Sequence, residues 1–135
     1  MKYLVFILSI TLFACSSEEK EKVKTGIETE EDLVERDGNF FKEYYPGKKQ
    51  LKMEGQFDEN EQRHGFWKYY SEGGITISIT EYSHGVRSGV SLVYFANGKL
   101  NYEGQYKNDK PVGVWKTYDE KTGKLKSEKN YDIPN

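Results

Sequence analysis

Gly113-Val114-Trp115-Lys116-Thr117-Tyr118 repeats a phrase already written as Gly65-Phe66-Trp67-Lys68-Tyr69-Tyr70 and as Gly89-Val90-Ser91-Leu92-Val93-Tyr94, with the three glycines 24 residues apart. Each copy is followed by a turn and a second run that closes on an aromatic residue, at Tyr82, Tyr106 and Tyr131, and a blurred earlier copy closes at Phe57. A fixed period of this size marks stacked supersecondary units, none of which is stable alone. Runs such as Leu51-Lys52-Met53-Glu54-Gly55-Gln56-Phe57 alternate apolar and polar residues, which is the period of a strand. Between paired runs stand Pro46-Gly47, Gly73-Gly74, Asn97-Gly98 and Thr122-Gly123, where a turn needs residues tolerant of positive φ; Asn97-Gly98 is the strongest of these signals. Between copies come Ser83-His84-Gly85 and Lys107-Asn108-Asp109-Lys110-Pro111, again turn chemistry. The expectation is an all-β domain over residues 37–135: an elongated single antiparallel sheet of four successive β-hairpins, eight strands in all, with the strand pattern beginning at Asn39.

Composition agrees with such a sheet. Hydrophobic residues make up only 36% of the 135 residues while aromatic residues reach 15%, with eleven Tyr and seven Phe, so stability rests on large, partly exposed rings rather than on a thick aliphatic core. The net charge of −2 offers no basic surface to nucleic acid. The one cysteine, Cys15, builds neither a disulfide framework nor a cysteine zinc site.

Its place in the chain gives it another use. Residues 1–14 carry one lysine, Lys2, and then a nearly continuous apolar run from Tyr3 to Phe13 that is too short to span a bilayer, as in a signal peptide. The end of that run, Leu12-Phe13-Ala14-Cys15, resembles the lipobox of bacterial lipoproteins, with Phe13 where a small or β-branched residue is usual. The resemblance implies that Cys15 is acylated, becomes the new N-terminus and anchors the chain to the outer membrane, facing the periplasm or the cell surface. Residues 15–36 follow as a charged linker with too few apolar groups to fold. Fully extended, about 20 residues reach roughly 70 Å, enough to hold a domain clear of a membrane. Glu18-Glu19 resembles the acidic signals that send some lipoproteins to the surface, and reads equally as a solvated charge run.

The phrase Gly-x-Trp-x-x-Tyr, a glycine turn, then Leu-x-x-Glu-Gly-x-Tyr resembles the MORN-repeat variant of many bacterial proteins, some of whose members are labelled YwqK-type antitoxins. The resemblance runs from about Asn39 to Tyr131 and is carried by Gly65, Trp67, Tyr70, Gly89, Tyr94, Glu103, Gly104, Tyr106, Gly113, Trp115 and Tyr118, all in phase. It implies a sheet of successive hairpins used for binding, and it supplies no catalytic residues.

Glu54, Glu103 and Glu128 each lie three residues before a closing aromatic and invite comparison with catalytic carboxylates. Their recurrence in phase points instead to a duty every repeat shares, such as pairing across strands with Lys68 or Lys116. His64 and His84 each precede a glycine and read as turn residues; without a short-spaced His or Cys cluster no metal site and no cofactor is expected. Ile75-Thr76-Ile77-Ser78-Ile79 stands one position out of phase with Leu100 and Tyr102, and a slip of one residue moves side chains to the opposite face. A bulge or shared burial is one explanation; the other is an apolar contact surface at Ile75, Ile77 and Ile79. Trp67, Tyr70, Tyr94, Trp115 and Tyr118 are the aromatic repeat residues, interrupted at Ser91. The functional expectation is a lipid-anchored cell-envelope protein whose repeat domain is a non-enzymatic binding or scaffolding module for a protein or a glycan. The alternatives are a carbohydrate-binding module with the tryptophans as stacking platform, and an antitoxin-like protein.

Overall fold

The computed structural model describes residues 29–132. The leader, Cys15 and the linker through residue 28 lie outside the described residues, as do residues 133–135. After a 3-10 turn, Glu30–Leu33, come nine strands: β1 Val34–Asp37, β2 Phe40–Tyr44, β3 Leu51–Phe57, β4 Arg63–Tyr70, β5 Thr76–Ser83, β6 Val86–Tyr94, β7 Leu100–Lys107, β8 Lys110–Tyr118 and β9 Leu125–Asn130. They form one open antiparallel sheet in chain order from β1 to β9. Among the described residues no helix is long and apolar enough to cross a membrane.

The sheet has nine strands rather than eight, because Val34–Asp37, assigned from composition to the linker, pairs along β2. The charged residues of this strand are held by rings and by opposite charges. Arg36 lies over Phe57 at 4.8 Å and over Phe41 at 5.6 Å, with Glu61 2.6 Å from its guanidinium. Glu35 accepts the Tyr44 hydroxyl at 2.9 Å and pairs with Lys48 at 3.1 Å.

The two ends of the sheet turn differently. His84-Gly85 and Asn108-Asp109 are two-residue links in which both residues take positive φ, 48° and 82°, then 50° and 63°. That is the turn whose twist matches the strands it joins. Asn97-Gly98 forms the turn expected between paired runs, but within a longer loop. There Phe95 accepts from the Gly98 amide at 2.9 Å and donates to the Lys99 carbonyl at 2.8 Å, and Gly98 alone takes positive φ, 80°. Ser71–Ile75 repeats this geometry with Gly74 at 82°.

Among the described residues no second layer covers the sheet, and burial is achieved within it. Trp67 is 1% exposed and is the largest fully buried side chain among the described residues. Its ring lies flat on Gly55, where a Cβ would fall 2.3 Å from the indole. Trp115 lies on Gly104 in the same way, at 2.2 Å. Each indole N–H donates to the carbonyl one residue beyond its glycine, Gln56 at 2.9 Å and Gln105 at 3.2 Å. Phe57 meets Trp67 edge-on at 4.9 Å and Tyr106 meets Trp115 likewise at 4.9 Å, the arrangement that the ring quadrupoles favour. The register slips beside both glycines, between Glu54 and Gln56 and between Glu103 and Gln105. The period-marking Gly65 and Gly113 stand across those slips with φ of 67° and 64°, a conformation that costs other residues more.

Gly55→Ala should therefore destabilise the sheet by about 2 to 4 kcal/mol, as should Trp67→Ala, through overpacking in the first case and a lost ring in the second. Trp115→Ala, at a half-buried position, should cost less. Denaturant midpoints of the three variants check the order.

Candidate functional site

Pairing puts every strand residue on one of two faces, and each face reads as rows running across the strands. On the first face one row runs from Arg36 and Phe41 to Gly55 under Trp67, then Thr80, Ser91, and Gly104 under Trp115. Beside it runs Met53, Tyr69, Ser78, Val93, Tyr102 and Thr117. On the second face a single row reads Glu35, Lys42, Glu54, Lys68, Ile79, Leu92, Glu103, Lys116 and Glu128.

On both faces the middle rung departs from its neighbours. Where β3–β4 and β7–β8 bring a glycine under a tryptophan, β5–β6 brings Thr80 beside Ser91, their hydroxyl oxygens 3.3 Å apart. Where the flanking rungs bring glutamate opposite lysine, the middle rung brings Ile79 opposite Leu92. Polar and apolar positions have changed faces. Of the isoleucines read as out of phase, Ile79 owes its appearance to this exchange. A register slip does lie beside them, between Tyr69 and Tyr70 opposite Ile77, but the same slip recurs at Tyr44, Tyr94 and Tyr118 and so is common to every hairpin. Ile79 is half-buried, whereas Ile75, in the turn, is 37% exposed and Ile77 43%. The three do not share one row.

At the middle rung, where no tryptophan stands, the first face has an open groove of about 410 Å³. Thr80 and Ser91 line it, Ser91 being only 4% exposed, and Tyr69, Tyr82, Tyr102 and Tyr106 border it, with Ser78, Val93, Ile77 and Arg87. Two guanidinium groups lie against the rings of this region. Arg63 sits 4.6 Å from the Trp67 ring, 5.6 Å from Tyr82 and 5.9 Å from Tyr69, and Arg87 sits 4.1 Å above Tyr106. Such stacking holds a planar cation against an aromatic face without using its in-plane donors. Arg87 also bonds Asp109 at 2.8 Å, and this pairing holds the Asp109 carboxyl below the usual range. Burial, ahead of any charge, raises the Tyr69 hydroxyl.

The aromatic repeat residues therefore divide between two duties. Trp67 and Trp115 build the first face. Tyr70 and Tyr118 turn their hydroxyls to the second, donating to Glu54 at 2.7 Å and to Glu103 at 2.6 Å. Tyr94 stands in phase with them, with Ile79 in the place of the carboxylate. Lys68 reaches Glu54 at 3.6 Å, so this glutamate serves the pairing expected of it. His84 occupies its turn, with Nδ1 2.7 Å from Asp58, whereas His64 lies inside β4 rather than in a turn. Asp58 is held below the usual carboxylate range first by the Gln62 amide. Among the described residues no three metal-ligating side chains converge. Arg63, Arg87 and the hydroxyl pair were not singled out from the sequence; the break at Ser91 was the signal that could have found the groove.

Compared with the models of known protein families the chain matches none, and no curated protein matches it. What stands is one nine-strand antiparallel sheet of sequential hairpins with a modified centre.

Burial first, and then the hydrogen bond to Glu54, push Tyr70 up to about 12. A raised tyrosine stabilises the folded state fully below its unfolded value of about 10, and that contribution is lost as pH rises from there through about 12. Glu54→Gln removes the charge that resists ionisation, so Tyr70 should lose its proton at lower pH while burial keeps it above 10. Phenolate absorbance on titration, with Tyr70→Phe marking the contribution of this residue, measures the shift.

Proposed function

We propose that the chain is a cell-envelope lipoprotein whose hairpin-repeat sheet is a non-enzymatic binding module, and that its ligand sits in the tyrosine-bordered groove between the two tryptophans. The observation that carries this reading is the paired exchange at the middle rung. A tryptophan at position 91 would lie on residue 80, and residue 80 is a threonine where both tryptophan-bearing rungs have glycine. The two departures belong together, and their joint effect is an aromatic-walled recess of a size usual for small-ligand sites.

The chemistry of the recess fits a sugar better than an extended peptide. Tyrosine faces accept the C–H faces of a pyranose, while Thr80, Ser91 and the tyrosine hydroxyls offer donors and acceptors to its hydroxyl groups. The resemblance to MORN-type repeats supports a binding role in general terms. Glu54 and Glu103, held by Tyr70 and Tyr118, serve as structural rather than reacting groups.

The double substitution Thr80→Gly with Ser91→Trp rewrites the middle rung in the form of its neighbours and fills the groove. On a glycan array, with fluorescence titration of the hits, the wild-type chain should bind and the double variant should bind at least tenfold more weakly while unfolding no more easily. Equal binding by both, or no glycan bound by the wild type, overturns the reading.

Acylation of Cys15, outside the described residues, supplies the anchor in this proposal. Each buried CH₂ contributes about 0.8 kcal/mol, so two or more acyl chains hold the protein at a membrane. Metabolic labelling with a fatty-acid analogue should mark the wild type and leave Cys15→Ala unlabelled.

A further inference from the structure

We propose that the second face is the interface of a symmetric dimer, its two-fold axis running parallel to the strands between β5 and β6. The inference does not depend on the groove, which lies on the opposite face.

An axis so placed lays two second faces against each other, reverses the strand order and keeps each row over itself. The row Glu35, Lys42, Glu54, Lys68, Ile79, Leu92, Glu103, Lys116, Glu128 then meets its own reverse. Ile79 faces Leu92 of the second copy, Lys68 faces Glu103, Glu54 faces Lys116, and Lys42 faces Glu128. Every charge of the row from β2 to β9 meets its opposite, and the apolar rung meets itself. An alternation of glutamate and lysine is complementary to its own reverse about any axis between two neighbouring strands, so charge alone leaves several positions of the axis equivalent. The exchange at the middle rung chooses among them. Only the axis between β5 and β6 lays Ile79 and Leu92 on each other; any other sets them against a charge or leaves them uncovered.

Shape agrees with charge. Phe66, 53% exposed, projects from β4 and under the same axis falls over β7 of the second copy. There a hollow of about 390 Å³ is lined by Val90, Gln105, Val112 and Val114. The eight strands from β2 to β9 that face each other, about 4.8 Å apart and some 20 to 25 Å long, give a face of roughly 800 to 1,000 Å², the amount each partner contributes to an interface of ordinary size. Charges at such an interface fix register and exclude wrong partners more than they add affinity, which comes here from Ile79, Leu92 and Phe66.

Zero-length carbodiimide crosslinking of the full wild-type chain, followed by mass spectrometry of the dimer band, tests this. The expected products join Glu54 to Lys116 and Lys42 to Glu128. Within one copy those pairs are five and seven strands apart, roughly 24 and 34 Å, beyond the reach of the side chains. A second measurement uses Lys68→Glu and Glu103→Lys, first checked for folding by circular dichroism. Each variant alone should dimerise at least tenfold more weakly by sedimentation, because like charges then meet across the axis. An equimolar mixture should recover the dimer, because the carboxylate introduced at position 68 of one chain meets the ammonium introduced at position 103 of the other. A wild-type chain that stays monomeric, a dimer without those crosslinks, or crosslinks from this face only to a different protein overturns the proposal.

Discussion

A tryptophan ring lying flat on a glycine is the contact on which this sheet depends. A single-layer sheet has no opposing layer to remove its side chains from water, and the surface it leaves open on both faces is large. The indole of Trp67 solves this locally by covering the backbone of β3 at Gly55, with Phe41 and Phe57 closing around it. The solution has strict terms. The strand beneath must lack a Cβ, and the ring lies where the register slips and a glycine with positive φ stands across the slip. The glycine beneath and the tryptophan above it thus express a single requirement and recur together in β3–β4 and in β7–β8, whereas the slip and a positive-φ glycine, Gly89, persist at β5–β6 without them.

The same requirement explains what happens where it is dropped. With Ser91 in place of the ring, Thr80 is free to carry a side chain, and the pair hydrogen-bonds across the strands. The apolar area lost from the first face reappears on the second as Ile79 and Leu92. The central rung keeps an apolar pair and reverses the direction in which that pair points.

Much of the architecture was legible because the period was. The 24-residue spacing of Gly65, Gly89 and Gly113 determined the hairpins, and alternation determined which runs are strands. Composition hides β1: Val34-Glu35-Arg36-Asp37 looks like solvated charge, and its only signal is that Tyr44 stands in phase with Tyr70 and Tyr118, each of which binds a glutamate one strand earlier. Asn97-Gly98 marks its turn correctly, but the dipeptide states that a turn forms without stating how many residues the turn spans. The groove was half visible. Ser91 reads as an interruption in the sequence, but its meaning rests on Thr80 lying beneath it, a cross-strand relation that needs the register of two bulged strands to be known.

Each strand of this sheet is hydrogen-bonded only to the strands before and after it in the chain. No contact has to wait for a distant segment to arrive, so the loops closed during folding are short and their entropic cost is small. The two ring-on-glycine contacts, at β3–β4 and β7–β8, each close within a single hairpin of about 20 residues. The β5–β6 rung between them closes on a hydroxyl pair instead, and the recess lies on this one rung that the ring contacts leave to its neighbours.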